Sequence, residues 1–526
     1  MTARWLSTLL LLAAPITAPI TAQAQRAPDH LVMGVRAPII SLDPALSGLG
    51  TMHGYYQNIY DSLVMREGGR TLVPGLATGW TVLDDLTWEF KLRPGVACHD
   101  GTMFDAAAVV ANFKRLPTVP NSDNLTAGKM RPVQEVEIVD AATIRVRTKQ
   151  PYPGLIGALP ELHMMCGSAL ARDPTTDSIN SGRDAIGTGP FRHAKWTRGT
   201  GWELERFDGW WGRKSDFARV TVREIANDAA RMASLQAGDI DVADYIPPLD
   251  VKRLSANPKL EVFRTPGTRT LFIGMDTIRE QAPFVTDKAG QPLPRNPFKD
   301  ERVRKALALG ISEDLILSRV MEGLAEKASQ AMPEGMGGYA AVPPARYAPD
   351  EARRLLADAG YPDGFRTTLH CPNDRYVNDA AICQTIGTML ARIGIALQVE
   401  AMPTNVYMPR LTGLDFGLYL LAWGNNAGDA ASLLRDVMAT RDKTRGTGSW
   451  NMGLSMPDVD AAIERSTMVM DLDARSRMMA EVMATLVQRQ AYVPLHTQLV
   501  IGAARKGVIY APQADEATRA IDARLP

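Results

Sequence analysis

The sequence predicts a protein of the α/β class with two or three domains, and three observations support this. A strand, two turns and a helix follow one another within residues 76–113, and strands and helices keep alternating through the second half of the chain. The chain has 526 residues, which is too long for a single hydrophobic core. Its 45% hydrophobic and 22% charged residues are ordinary for a globular protein.

The N-terminus has the composition of a secretory signal peptide. Arg4 is the only charge before residue 25, an apolar run covers residues 5–20, and Ala22-Gln23-Ala24 fits the small-x-small rule for cleavage. The run is short for a membrane span and is broken by two prolines, although an N-terminal anchor is the alternative. We expect cleavage after about Ala24, and no cysteine follows that would carry a lipid.

The segment 76–113 predicts a strand, two turns and a capped helix. Apolar and charged residues alternate from Trp88 to Arg93, which indicates a half-buried strand. Pro94-Gly95 and Asp100-Gly101 are turn dipeptides. Asp105 is expected to cap the helix that follows.

Further along the first half, alternation from Val136 to Thr148 predicts another strand. Asp228 is expected to cap a helix that runs through Ala237. Gly238 should end this helix, and a strand should begin near Ile240.

The second half repeats the alternation of strands and helices. The predicted strands are 271–275, 395–399 and 416–423, and the predicted helices are 300–309, 350–360 and 380–392. The strand 416–423 is apolar almost throughout and leads into a loop rich in Gly and Asn, which is typical of a buried strand.

No catalytic or cofactor signature is present in the sequence. HExxH, GxSxG and GxxxxGK[ST] are absent, the seven histidines are dispersed, and no Cys/His cluster has zinc spacing. Lys and Arg together number 58, as do Asp and Glu, so the chain lacks the basic charge that a nucleic-acid partner would need. We expect a protein without catalytic activity, cofactor or metal, and a secreted hydrolase is the alternative from another class.

Several segments resemble one family, the family 5 extracytoplasmic solute-binding proteins of peptide-, nickel- and opine-type ABC importers. The segments that carry the resemblance are, in chain order, SLDPAL at 41–46, NIYDSLV at 58–64, the block 76–113, AIGTGPF at 185–191, LERFDGWWG at 204–212 and YAPDEARRLLADAGYPDGF at 347–365. They occur in the family's order and cover nearly the whole mature chain.

The resemblance implies a two-lobed periplasmic binding protein fold with hinge strands and an extra subdomain in the N-terminal lobe. The expected parts are a signal peptide at 1–24, lobe I at 25–265 plus 490–526 with a subdomain inserted at about 60–180, and lobe II at 266–489. It further implies a soluble, monomeric periplasmic protein that closes around a solute and delivers it to an inner-membrane ABC permease.

The resemblance also places the solute against three loops. Pockets for small solutes combine aromatic faces with a few convergent polar groups. The expected ligand-binding residues are Thr51, Met52, His53 and Tyr55 in lobe I, and Arg375, Tyr376, Trp423, Asn425, Asn426 and Asp429 in lobe II. Turn formation explains clusters of Gly, Asn and Asp equally well. Arg269, beside a crossing strand, is a weaker candidate for contact with an acidic group of the solute, and we expect instead an exposed, solvated arginine there.

Two departures from the family pattern limit the choice of solute. Asn426 stands where peptide-binding relatives resemble one another in carrying an acid for the peptide's amino terminus, so Asp429 would have to supply that charge. Nickel-chelate relatives use a histidine and an arginine at positions that Ala431 and Glu161 occupy here. We expect a small peptide, an opine-like amino-acid conjugate or a related polar solute. A metal-chelate binder of the same family and a periplasmic binder of unfolded chains are the alternatives.

The four cysteines leave their pairing open. A bridge between Cys371 and Cys383 and a pair of free buried thiols are both compatible with their positions. Cys98 stands where relatives usually carry Phe, so the resemblance implies a small buried hydrophobic residue there.

Overall fold

The computed structural model describes residues 27–46, 50–120, 122 and 126–526. The predicted signal peptide, residues 1–24, lies outside these residues. Within them, no helix is both long and apolar enough to cross a membrane.

The strands are labelled β1 to β21 in chain order. Their bounds are His30–Val35, Asp61–Ser62, Val64–Glu67, Thr71–Pro74, Ala77–Asp84, Thr87–Leu92, Val133–Asp140, Thr143–Thr148, His163–Met164, Phe191–Thr197, Gly201–Arg206, Arg219–Glu224, Val242–Ala243, Leu260–Met275, Ala325–Lys327, Arg366–Pro372, Ala396–Met402, Leu418–Gly424, Val493–Arg505, Ile509–Tyr510 and Ala523–Arg524.

The α-helices are labelled α1 to α15. Their bounds are Gly50–Tyr56, Ala106–Arg115, Thr126–Met130, Leu155–Ala158, Gly167–Leu170, Thr176–Asn180, Asp228–Ala237, Pro248–Ser255, Glu301–Gly310, Glu313–Leu315, Pro349–Asp358, Asp379–Ala391, Thr404–Thr412, Pro457–Met468 and Leu472–Gln488. The π-helical segment Ile316–Val320 follows α10. A second one, Leu433–Met438, follows the loop after β18.

One large mixed sheet runs through the molecule in the order β10-β11-β12-β1-β13-β19-β14-β18-β16-β17, with β15 attached to β19. At one end β1 is parallel to β12 and β13, and at the other β16 is parallel to β17 and β18. Two long antiparallel strands, β14 and β19, connect these two parallel groups.

The pairing of β14 with β19 is irregular between Pro266 and Thr270. Gly267 lies at this irregularity, and a methyl group on its Cα would come within 2.5 Å of the Gln498 carbonyl oxygen. Only glycine allows so close a backbone approach. The two crossing strands are therefore least regular at their middle, where a hinge is expected.

The hydrophobic core is divided at the crossing strands. Two clusters draw their buried side chains only from residues 271–495. Three others draw theirs from residues 31–260 and 501–523, with Leu324 as the exception. We call the half with the clusters at 271–495 lobe II, and the half with the clusters at 31–260 and 501–523 lobe I.

A smaller sheet of order β5-β6-β8-β7 packs on one of the lobe I clusters, which spans residues 45–166. This cluster contains a disulfide between Cys98 and Cys166, whose Cα atoms are 6.2 Å apart. The expectation of an unpaired Cys98 is therefore wrong. Cys371 and Cys383 are free and buried, which decides between the two arrangements that the sequence left open for them.

Local patterns predicted several elements correctly. The strand at Trp88 is β6, and the Asp105 side chain accepts a hydrogen bond from the Ala108 backbone N–H at the start of α2. The helix that was expected to end at Gly238 does so, because this glycine adopts a φ of 82°.

Two local predictions are wrong. The segment from Val136 to Thr148 is a hairpin of β7 and β8, because Asp140 accepts a hydrogen bond from the Ala142 N–H and turns the chain between them. Asn227, and not Asp228, caps α7, since its side chain accepts from the Ala230 N–H.

Candidate functional site

The carboxyl ends of parallel strands from both halves of the sheet face the middle of the molecule. Arg36 directly follows β1, and Tyr245 follows β13 in lobe I. In lobe II, Arg375 follows β16, and Asn425 follows β18. Open α/β sheets bind ligands at the carboxyl ends of their strands. This edge, between the lobes and beside the irregular part of β14 and β19, is the candidate solute site.

The loop after β18 is attached to the crossing strand β14. Asn425 is fully buried, and both its backbone N–H and its Nδ2 donate to the Thr268 carbonyl oxygen, at 3.0 and 3.2 Å. The Thr268 hydroxyl donates to Asn426 Oδ1 at 2.7 Å. Asn425 therefore has a structural role, whereas Asn426 lies partly exposed at the edge of the cleft.

Trp423, one of the expected ligand-binding residues, is half-buried at the end of β18. Its ring centroid lies 6.3 Å from that of Trp450, and its Nε1–H donates to the Ser432 hydroxyl at 3.3 Å. These contacts hold one face of the indole against lobe II. Contact of Trp423 with the solute stays a prediction.

Asp429 is already neutralised inside lobe II. Its Oδ2 accepts from Arg475 Nη1 at 2.5 Å, and its Oδ1 accepts from the Ala431 N–H. The Arg475 side chain is only 4% exposed, so this ion pair is shielded from water. The suggestion that Asp429 supplies the charge missing at Asn426 is therefore not supported by its contacts.

The loop that carries Arg375 and Tyr376 is held rigidly. Asp379 Oδ2 accepts from both of their backbone N–H groups at 3.0 Å. The Tyr376 hydroxyl oxygen accepts from the Ala422 N–H of β18 at 3.2 Å. The Arg375 side chain is exposed, and its guanidinium lies 5.9 Å from the Tyr376 ring centroid. Both residues lie in the predicted loop between a strand and a helix, and their contact with the solute stays a prediction.

The predicted lobe I loop is instead a short helix, α1. Met52 and Tyr55 are 0% and 1% exposed, and the Tyr55 hydroxyl donates to the Ala37 carbonyl oxygen at 2.8 Å. These two residues belong to the core of lobe I, so their assignment as ligand contacts is corrected. Thr51, in the first turn, is half-buried and stays a predicted contact.

His53 lies in a buried polar cluster. Its Nδ1 is 3.1 Å from His163 Nε2, and its Nε2 is 3.3 Å from Glu161 Oε2. Burial alone would raise the pKa of Glu161, but the charges of Lys129, His53 and Arg66 lower it well below its ordinary value. The expected ligand role of His53 is replaced by an internal one, the pairing of Glu161.

The two lobes touch at this edge. A methyl group added at Gly50 would lie 3.2 Å from Asn426 Nδ2, and one at Gly157 would lie 2.7 Å from the Ala427 carbonyl oxygen. Arg70 Nη2 donates to the carbonyl oxygen of Gly267 at 2.9 Å. The structure therefore shows the lobes brought together.

Sequence reasoning named Arg269 as a weaker candidate but missed its partner, Glu516. Arg269 Nε and Nη2 donate to the two carboxylate oxygens of Glu516, at 2.8 and 3.1 Å. The Arg269 side chain is 19% exposed, so the expectation of a solvated arginine is wrong. Burial alone would raise the pKa of Glu516, but Arg269, Arg375 and Arg36 lower it below its ordinary value.

Arg36 and Tyr245 complete this group from lobe I. The Arg36 guanidinium lies 4.6 Å from the centroid of the Tyr245 ring, a cation–π arrangement. No local sequence signal predicts the ion pair of Arg269 with Glu516, because these two residues are 247 positions apart in the chain. For Tyr245 the sequence offers one cue, because it follows the strand predicted to begin near Ile240.

Metal binding finds no support in these contacts. Among the described residues, no group of three or more His, Cys, Asp or Glu side chains is placed to hold a metal ion.

Comparisons with known proteins agree with this geometry. Residues 71–444 match the model of the bacterial extracellular solute-binding proteins, family 5 Middle. The glutathione-binding protein GsiB of Pectobacterium atrosepticum is 29% identical over 450 residues, which are 83% of this chain and 82% of the relative.

Two solved structures show the fold. DppA of Helicobacter pylori, an ABC transporter-associated periplasmic binding protein in complex with the peptide STSA, has a TM-score of 0.73 at 22% identity, over 94% of this chain and 98% of its own. The periplasmic binding protein AgaA of A. tumefacien R10, in complex with agropinic acid, has a TM-score of 0.71 at 22% identity, over 94% and 99%. The predicted two-lobed α/β fold is confirmed.

Proposed function

Because the chain belongs to family 5 of the bacterial extracellular solute-binding proteins, we propose that it captures a small acidic, peptide-like solute between its lobes. The predicted family is confirmed, and so is the predicted role as a solute-binding component of an ABC importer. Members of this family are transport components and not enzymes.

The observation that carries the choice of solute is the charge of the cleft. Three guanidinium groups, those of Arg36, Arg269 and Arg375, act on one carboxylate, that of Glu516. The excess positive charge favours a solute that carries more carboxylate than ammonium groups. Guanidinium groups are suited to carboxylates because their planar fork can form two parallel hydrogen bonds.

The distribution of these groups supports capture by closure. Arg36 comes from lobe I, Arg375 from lobe II, and Arg269 from a strand that crosses between them. A solute held by all three gains its full set of contacts only when the lobes are together, so it stabilises the closed state.

The names of similar proteins point in the same direction. The relative described above is named for binding glutathione, a tripeptide with two carboxylates and one ammonium group. A γ-glutamyl peptide or a short acidic peptide is the solute class that best fits this charge pattern.

The remaining parts of the proposal follow from the sequence. The signal peptide at 1–24 directs the chain to the periplasm, where it works as a monomer without a nucleic-acid partner. Lobe I comprises 25–265 with 490–526, and lobe II comprises 266–489. The division of the core along β14 and β19 supports two lobes, although Ala491, Tyr492, Val493 and Leu495 pack with lobe II.

A thermal-shift screen of the mature protein, followed by calorimetry, tests the proposal. The panel holds glutathione, acidic and neutral dipeptides, agropinic acid, nickel with histidine, and a neutral disaccharide. A solute at 100 times its dissociation constant stabilises the protein by about 2.7 kcal/mol, which is measurable. Stabilisation by acidic peptides is expected. Stabilisation by the disaccharide or the nickel chelate, with no response to acidic solutes, would refute the proposal.

Two variants locate the binding. Arg375→Ala should weaken the affinity for the acidic solute roughly tenfold or more, since a charged hydrogen bond contributes about 1.5–3 kcal/mol. The matched control is Arg392→Ala, which removes an exposed arginine at the far end of α12. Equal losses in the two variants would contradict the proposed place of the site.

A further inference from the structure

Glu516, in the cleft, has an unusual backbone conformation. It adopts a φ of 64°, a left-handed conformation that non-glycine residues seldom occupy. Such strained residues gather at functional sites, where the surrounding structure holds them in place.

The backbone around Glu516 is fixed to the crossing strand. The Thr268 N–H donates to the Ala514 carbonyl oxygen at 2.9 Å, and the Glu516 N–H donates to the Gln513 carbonyl oxygen at 3.0 Å. Asp515 Oδ1 accepts from the Ala517 N–H at 3.2 Å. This loop from the C-terminal part of the chain therefore presents the Glu516 side chain at a defined position beside the hinge.

The Glu516 carboxylate is paired but not enclosed. Both oxygens accept from Arg269, yet 34% of the side chain is exposed. An ionised carboxylate has about four acceptor positions on its two oxygens. Two bonds to Arg269 leave acceptor positions free for a donor that enters the cleft.

Glu516 lies close to the loop that follows β18. A methyl group added at Gly424 would be 3.4 Å from both Arg269 Nη2 and Asn426 Oδ1, so the partner of Glu516 packs on the turn that carries Asn426. Asn426 is neutral and Asp429 is bound to Arg475. Glu516, beside this loop, carries a carboxylate whose side chain is 34% exposed.

We propose that Glu516 binds the ammonium group of the solute, while Arg375 and Arg269 bind its carboxylates. This inference rests on the proposed function, because it assigns one residue of the same cleft to one part of the solute. It predicts a solute with a free amino group as well as carboxylates, and it makes Glu516 the residue that selects for that amino group.

The experiment compares glutathione with its N-acetyl derivative, which keeps both carboxylates but has no ammonium group. Calorimetry on the parent protein should give an affinity for glutathione about tenfold or more above that for the derivative, because a charge-assisted hydrogen bond is lost. Equal affinities would overturn the inference. Absence of binding of glutathione, its derivative and the acidic dipeptides alike would overturn the inference together with the proposed function.

Glu516→Gln then tests the residue itself. The variant should lose most of its preference for glutathione over the N-acetyl form, while its affinity for the N-acetyl form changes less than about threefold. Unchanged or higher affinity for glutathione would overturn the inference. It would mean that Glu516 only forms an ion pair with Arg269 while no solute is bound. The matched control, Glu261→Gln, removes an exposed carboxylate from β14 in lobe I and should keep the parent's preference.

Discussion

The Thr268 hydroxyl donates a hydrogen bond to Asn426 Oδ1 at 2.7 Å, which connects the crossing strand β14 to the loop after β18. This bond fixes the orientation of the Asn426 amide, so that its Nδ2 faces α1 of lobe I near Gly50. Residue 426 therefore sits between hinge and cleft, and its side chain is positioned before a solute arrives.

Asn426→Asp is expected to raise the affinity for short peptides with a free amino terminus. The new carboxylate keeps the acceptor for Thr268 and places a negative charge where the amide nitrogen lies now. A charge-assisted bond contributes more than a neutral one, so about a tenfold gain is expected. Calorimetry with a dipeptide and its N-acetyl form measures it. An equal gain for both forms, or none, would show that the peptide amino group does not reach this position.

Trp423→Ala is expected to weaken solute binding roughly tenfold or more while the protein remains folded. The indole offers a partly exposed aromatic face at the end of β18, and its loss removes apolar contact area from the cleft. Trp196→Ala removes another half-buried indole at the edge strand β10 and serves as the control. Affinities that fall equally in the two variants would mean that Trp423 acts only through stability.

The elements that could be predicted from the sequence are those whose signals are local. The alternation around Trp88 and the cap at Asp105 involve residues within a few positions of one another, and both were predicted correctly. The helix α1 was missed because its glycines suggested a loop. Yet Met52, Tyr55 and Tyr56 have the i, i+3, i+4 spacing of a buried helix face, which was present in the sequence.

The charges of the cleft could not be predicted in the same way. Arg269 and Glu516 are 247 positions apart, and Cys98 and Cys166 are 68 apart. Pairs so distant depend on how the crossing strands and the inserted subdomain fold, and periodicity carries no information about them. Resemblance pointed to the loop with Arg375, whose contact with the solute stays a prediction.

Removal of the disulfide is expected to destabilise the protein by about 4 kcal/mol, as chain-entropy reasoning gives for a loop of this length. The double variant Cys98→Ala/Cys166→Ala should unfold at lower denaturant concentration than the parent. A reducing agent should shift the parent to the same midpoint and leave the variant unchanged. A variant that still responds to the reducing agent would show that Cys371 and Cys383 form a bridge in solution.

Asp61 should make the stability of the protein depend on pH. Its Oδ2 accepts from the Thr188 hydroxyl and from the indole N–H groups of Trp210 and Trp211. Burial raises its pKa from the ordinary value of 3.8 to about 6, although these hydrogen bonds oppose the shift.

The direction of this dependence follows from where the proton is held. Between about pH 4 and pH 6 the native carboxyl keeps its proton while the unfolded one has released it, so the free energy of unfolding falls as the pH rises. A shift of about two pKa units corresponds to roughly 3 kcal/mol. Asp61→Asn keeps an acceptor for the three donors and removes the titration.

The test is the unfolding free energy of the parent minus that of the Asp61→Asn variant, measured by denaturant titration from pH 4 to pH 7. This difference should fall by about 3 kcal/mol across the range. Asp208→Asn is the control, because hydrogen bonds from Lys214 and Arg206 lower the pKa of Asp208 and give it a weak dependence of opposite sign. A difference for Asp61 that stays constant with pH would mean that its carboxyl ionises at its ordinary pKa in the folded protein.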